Sequence, residues 1–218
     1  MSLWPLSSDK SALFVAGKTL AEWEHILGKE FNPTYPWELL DINSEIIASI
    51  TEWSGHPNIQ LGDGAKVIVG VNTKILPGVF IEGPIIIGDN CKIGPNCYLR
   101  GSTSIGDNCH VGQAVEIKNS ILAPGASVGH LSYVGDSYIG QKSNFGAGTI
   151  TSNLRHDGSN HRSAVDGKII DTGRRKFGAI VGDHVHTGIN TSLYPGRKLG
   201  SHTSTLPGAI ISQDISAS

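Results

Sequence analysis

The chain has 218 residues, of which 28 are glycine and 6% are aromatic, with a formal net charge of -2 at pH 7. This balance excludes a large basic face for nucleic acid. The sequence has no apolar run long enough to span a bilayer and no secretory signal, so the expectation is a soluble cytoplasmic protein without a membrane span.

Ser11 to Leu27 is predicted to be an amphipathic helix. Leu13, Leu20, Trp23 and Leu27 fall at helical spacing and Gly28 stops the run. Asn32-Pro33 and Tyr35-Pro36 mark a turn. Pro36 to Trp53 is predicted to be a second helix, carrying Leu39, Leu40, Ile46, Ile47 and Ile50. Residues 1–55 are therefore expected to form a helical cap over the open end of the repeats that come after them, because repeat arrays need one. Partner docking is the alternative.

The next segment carries a six-residue period: Val69, Ile75, Ile81, Ile87, Ile93, Leu99, Ile105, Val111 and Ile117. Helices repeat near 3.6 residues and strands at 2, so neither explains it. A period of six marks a parallel β-helix. Gly, Asp-Asn and Pro-Asn follow the branched residues, as tight corners require. Three hexads close one triangular coil, and coils stack at about 4.8 Å. The ladder continues through Leu122, Val128 and Val134, then Ile139 and Phe145, with one-residue slips read as corner loops. It resumes at Val181, Thr187, Leu193, Leu199 and Thr205. The solenoid is thus expected over residues 56–212, with a short tail at 213–218.

The gap in the ladder, about 154–177, is too long for a corner and is expected to protrude. It holds Arg155, Arg162, Lys168, Arg174, Arg175 and Lys176 against Asp157, Asp166 and Asp171. Val165 to Ile169 reads as a hairpin with an Asp-Gly turn. Insertions in solenoids often line the binding face, although solvated charge is the plainer reading. Cys91, Cys97 and Cys109 each occupy the fifth position of a hexad and read as inward, reduced thiols. No tetrahedral zinc set is suggested.

Arg100 and Lys118 are separated by three full hexads, so they are predicted to be neighbours on one face. Two such cations repel by about 1–3 kcal/mol. A bound anion would relieve this, as would two side chains splayed into solvent. His130 and Tyr133 lie in Gly129-His130-Leu131-Ser132-Tyr133-Val134-Gly135-Asp136. Histidine suits proton transfer near neutral pH, though a lone histidine is more often structural. Asn144-Phe145-Gly146-Ala147-Gly148-Thr149 is dense in small residues, which permit either close approach of a ligand or tight coil corners. It lacks the lysine of a phosphate-binding P-loop.

Taken together, Val115-Glu116-Ile117-Lys118, the Gly129–Asp136 motif and Asn144–Asn153 resemble a known family. It is the acetyltransferase domain of the bifunctional glucosamine-1-phosphate acetyltransferase / N-acetylglucosamine-1-phosphate uridylyltransferases, especially the branch with a long insertion ending in Gly-Arg-Arg-Lys. The resemblance covers about Ile81 to Ile211. It implies a left-handed parallel β-helix that forms a homotrimer, with acetyl-CoA as co-substrate and an amino-sugar phosphate as acceptor. It implies that Arg100, Lys118 and Lys176 hold the phosphate and that His130 is the general base. Tyr133 and Asn144 would position the sugar, and Ala147 and Asn153 would contact acetyl-CoA. No metal is implied. Measured against the family, the expectation is an acetyltransferase half without the nucleotidyltransferase domain or the C-terminal arm, and Ile189 and Pro207 stand where small residues are expected. Glucosamine-1-phosphate is the leading acceptor. Galactosamine-1-phosphate, or a non-catalytic trimeric module serving a separate nucleotidyltransferase, are the alternatives.

Overall fold

A computed structural model describes residues 3–216. The predicted coils form a prism of three parallel sheets. Sheet I contains residues 59–61, 79–82, 98–100, 116–118, 133–135, 150–151, 192–193 and 210–211. Sheet II contains 66–69, 84–87, 103–105, 121–122, 138–139, 179–181 and 197–199. Sheet III contains 74–75, 92–93, 110–113, 127–130, 144–145 and 186–187. The hexad residues point inward and stack in register, as in Ile81–Leu99–Ile117–Val134. All nine belong to or pack against one continuous core. The three cysteines are buried and reduced there, and burial pushes the Cys97 thiol up to about 11. Among the described residues no helix is long and apolar enough to cross a membrane.

The corners are held by left-handed residues in vertical files. Asn72, Asn90 and Asn108 form one file between sheets II and III, with φ of 58°, 56° and 58°. Asn tolerates this conformation because its short amide bonds locally. The irregularities of the ladder gather at a single corner, between sheets I and II. Ile105 pairs with Leu122, and Leu122 with Ile139, each step one residue short of three hexads. Both slips therefore remove one residue from this corner, where a corner loop was expected. The long insertion also enters there, between the strands at 150–151 and 179–181.

Residues Arg162–Val165 and Lys168–Asp171 of the insertion form the predicted antiparallel hairpin. Asp166 and Gly167 make its turn at φ 47° and 75°. Only part of the insertion stands in solvent. His161, Ser163 and Phe177 are buried, and Val165 and Ile170 pack against the N-terminal segment. Phe177 anchors this return by edge contacts to Trp37 at 5.8 Å and His161 at 6.3 Å.

The N-terminal segment differs from expectation in two ways. The first helix, α1, runs only from Leu20 to Leu27. Before it, Phe14–Val15 pairs with Lys18–Thr19 in a hairpin whose turn, Ala16-Gly17, has φ of 46° and 89°. Thr19 then caps α1: the Glu22 N–H donates to its hydroxyl and its own N–H donates to the Glu22 carboxylate. This Thr-x-x-Glu box starts the helix at Leu20, although the apolar pattern begins near Ser11. The second helix, α2, runs from Glu38 to Ser49.

The segment also lies along the side of the prism, where an end cap was expected. Sheet II is apolar outward as well as inward, and Ile86, Ile121, Tyr138 and Ile180 join the N-terminal cluster. A sheet apolar on both faces needs cover on both. Buried Asn43 of α2 seals the joint. Its amide oxygen accepts from Ala16 N–H (2.8 Å) and the Ser104 hydroxyl (2.7 Å), and its NH2 donates to Ser102 C=O (2.8 Å). Residues 1, 2, 217 and 218, at the ends of the expected cap and tail, lie outside the described residues. The first described part of that tail stays on the prism: Ile215 bridges to Leu199, and Asp214 accepts from the Lys198 backbone N–H at 2.9 Å.

Candidate active site

The covered sheet II leaves the outward faces of sheets I and III for chemistry. Arg100 and Lys118 are direct register neighbours on sheet I. Glu116 and Tyr133 pair in the adjoining outward file. Each cation already has a carboxylate neighbour. Arg100 donates to Glu116 at 3.5 Å and lies over the Tyr98 ring, while Lys118 donates to Asp136 at 3.4 Å. These carboxylates relieve the repulsion that the spacing implied, so the pair alone does not demand an anion.

Asp136 is the hub that sequence reasoning missed. Its carboxylate is nearly buried and also accepts from Asn119 (2.9 Å) and Asn153 (2.6 Å). Asn119 and Asp136 are left-handed corner residues at φ 46° and 49°, one coil apart, at the two shortened corners. Because two amides satisfy Asp136, Lys118 can turn to another anion without stranding a buried charge. Asn153 donates its second bond to the Tyr133 hydroxyl at 2.9 Å, which leaves the phenolic O–H free to donate. Burial, then the charges of Asp136 and Glu116, raise the Tyr133 pKa, so it stays protonated at neutral pH.

The end of the insertion faces the same corner. A cavity of about 380 Å³ is lined by Asn119, Asp136, Arg174, Arg175, Lys176 and Asp41 among others. Lys176 bridges to Leu154 beside Asn153, and Arg174 pairs with Asp41 of α2. Arg100, Lys118, Tyr133, Asn153 and Lys176 are thus brought to one corner region.

His130 sits elsewhere, at the end of its sheet III strand where the chain turns towards sheet I. It is exposed, and its ring makes no hydrogen bond among the described residues. The Gly148 N–H donates to His130 C=O, so Ala147 lies beside His130 one coil later. Asn144 is on sheet III between Ser127 and His186. The predicted set therefore divides between two faces that meet at one edge.

The glycines beside Ala147 serve the stack. A Cβ on Gly146 would come 2.6 Å from the Thr187 carbonyl, and Gly148 has φ 76°. Coil geometry accounts for both, and neither requires a ligand. The Ala147 amide, however, donates to no acceptor among the described residues. In the same file Ile189 is exposed.

A family model described as "GMPPB C-terminal domain" matches residues 81–196, more than half of the chain. The chain belongs to that family. It is 41% identical over 182 residues to a bifunctional sugar-1-phosphate nucleotidylyltransferase/acetyltransferase of Sulfurisphaera tokodaii, covering 83% of this chain and 45% of that protein. It is 37% identical over 220 residues to the bifunctional protein GlmU of Methanococcus aeolicus, covering 98% of this chain and 53% of the other. The chain spans about half the length of these curated relatives. The family resemblance read from the sequence is borne out, and the matched region contains the coils that carry Arg100, Lys118, His130 and Asp136.

Proposed function

We propose that this chain is an acyltransferase that moves the acetyl group of acetyl-CoA to the amine of an amino-sugar 1-phosphate, with glucosamine-1-phosphate as the leading acceptor. The observation that carries the reading is the pairing of Arg100 with Lys118 on the open face of sheet I, next to the Tyr133–Asn153–Asp136 network. Charge-assisted contacts from Arg100, Lys118 and Lys176 would hold the phosphate and so orient the amine. The Arg100–Glu116 pair is half-exposed and costs little to rearrange. Tyr133 and Asp136 offer a donor and an acceptor to the sugar hydroxyls.

Acetyl-CoA supplies the activated acyl carbon. The corner at Ala147 fits it in one respect: an unpartnered N–H suits a carbonyl oxygen that gains charge. As the C–N bond forms, the thioester C–S bond breaks and coenzyme A leaves as a thiolate; His130 accepts the proton that the amine sheds and can return it to that sulfur. The division of the set between two faces favours a homotrimer, in which the sheet I face of one copy would meet the His130 corner of another.

A thiol-release assay with acetyl-CoA against glucosamine-1-phosphate, galactosamine-1-phosphate and unphosphorylated glucosamine tests the reading. Release that depends on an amino-sugar 1-phosphate is expected. Silence across the panel would overturn it in favour of a non-catalytic module for a nucleotidyltransferase, a role compatible with cations already matched by Glu116 and Asp136.

A further inference from the structure

Beyond this site, the outward face of sheet I carries a second and larger hollow. It encloses about 670 Å³ between the late coils and the root of the insertion. Its nearest wall is Ile150, the register neighbour of Tyr133. The hollow therefore begins one strand, about 5 Å, from the sugar-positioning cluster.

Its floor and rim differ in chemistry. Ile150, Leu154 and half-exposed Tyr194 give an apolar surface, while Arg155, Arg162 and Arg197 stand around it. Asp157 is the single carboxylate of the lining and is held by Arg155 through two hydrogen bonds. Arg197 reaches Asp214 only at 3.9 Å, and its Nε is buried with no hydrogen-bond partner. The Arg162 guanidinium is exposed and makes no hydrogen bond or ion pair among the described residues. Buried His161 lines the same hollow as Arg155 and Arg197.

An apolar floor beside unsatisfied guanidiniums suits a ligand with an aromatic ring and phosphates. Guanidinium groups bind phosphate oxygens in pairs, and tyrosine stacks on a flat ring. We infer that this hollow holds the phosphorylated nucleotide end of the acyl donor, with Arg162 as its principal phosphate contact. The inference rests on the acetyltransferase reading, and it gives Arg155 and Arg162 of the insertion a role that the sugar site leaves open.

The test uses the full chain, with Arg162→Glu as the variant and Lys168→Ala, at the hairpin tip, as control. Calorimetry with coenzyme A and with dephospho-coenzyme A gives affinities, and steady-state kinetics give KM for each substrate. Arg162→Glu is expected to weaken coenzyme A about tenfold, the equivalent of one charge-assisted contact. KM for acetyl-CoA should rise alike, while kcat, KM for the sugar phosphate and the Lys168→Ala values stay within about twofold. An active wild type whose Arg162→Glu variant binds coenzyme A unchanged overturns this inference alone. An inactive wild type that binds coenzyme A through Arg162 overturns the acetyltransferase reading and keeps the hollow. Absence of coenzyme A binding to the wild type overturns both.

Discussion

Lys118 has two candidate employments, and they predict different losses. If its contact with Asp136 were structural, Lys118→Ala would lower stability appreciably. The pair is partly exposed at 3.4 Å, and two amides already satisfy the carboxylate. The variant is therefore expected to cost no more than about 1 kcal/mol in a denaturant melt, while KM for the sugar phosphate rises at least about tenfold. His161 makes a second residue-scale prediction. Burial sets its folded pKa below the ordinary 6.5, so the unfolded chain binds the proton more readily. Its contribution to stability is complete above 6.5 and is lost as pH falls from there through the lower folded value. His161→Gln should flatten the dependence of the urea midpoint as pH falls below 6.5. Arg100, Lys118 and His130 were legible because spacing and side-chain chemistry single them out. Asp136 was not, although it too lies three hexads after Lys118. The shortened corner pairs Lys118 with Gly135 instead and turns Asp136 onto the corner.

Elements were read well where one period governs them and poorly where two local signals compete. The six-residue ladder placed the three sheets, and the Asp-Gly turn signal placed the hairpin at Asp166-Gly167. The stretch from Ser11 to Thr19 has helical apolar spacing, yet Gly17 and the Thr19–Glu22 box impose a hairpin and a late start. The docking of this segment on sheet II was hidden because it depends on the outward file Ile86–Ile121–Tyr138–Ile180, which a period of six does not report. The insertion is fixed to that same cluster through Phe177. Phe177→Ala is expected to cost about 3–5 kcal/mol, seen as a lower denaturant midpoint. A change below about 1 kcal/mol would show that the insertion is held by other contacts.

For the whole molecule, one side of the prism is closed by the chain's own N-terminal segment and two sides remain open. Leu131, Ile189 and Leu206 are exposed along the edge between the open sides, at 64%, 54% and 79%. Leu131 is also left-handed, at φ 50°, at a corner where the other coils use Gly, Asn or, at Ala114, a single methyl. A large apolar side chain at such a position is explained if another copy covers it. Light scattering is expected to give three times the chain mass of 23.1 kDa, and Leu131→Asp should shift the population towards monomer. A wild-type monomer at assay concentration would contradict the shared-edge arrangement.

On the proposed function, the open cationic face of sheet I selects its acceptor by the phosphate. The most direct measurement compares kcat/KM for glucosamine-1-phosphate and for glucosamine in the wild type and in the Arg100→Ala/Lys118→Ala double variant. Two charge-assisted contacts of about 1.5–3 kcal/mol each predict a wild-type preference of at least about a hundredfold. The double variant should lose nearly all of it. An equal preference in both proteins would show that Arg100 and Lys118 do not read the phosphate.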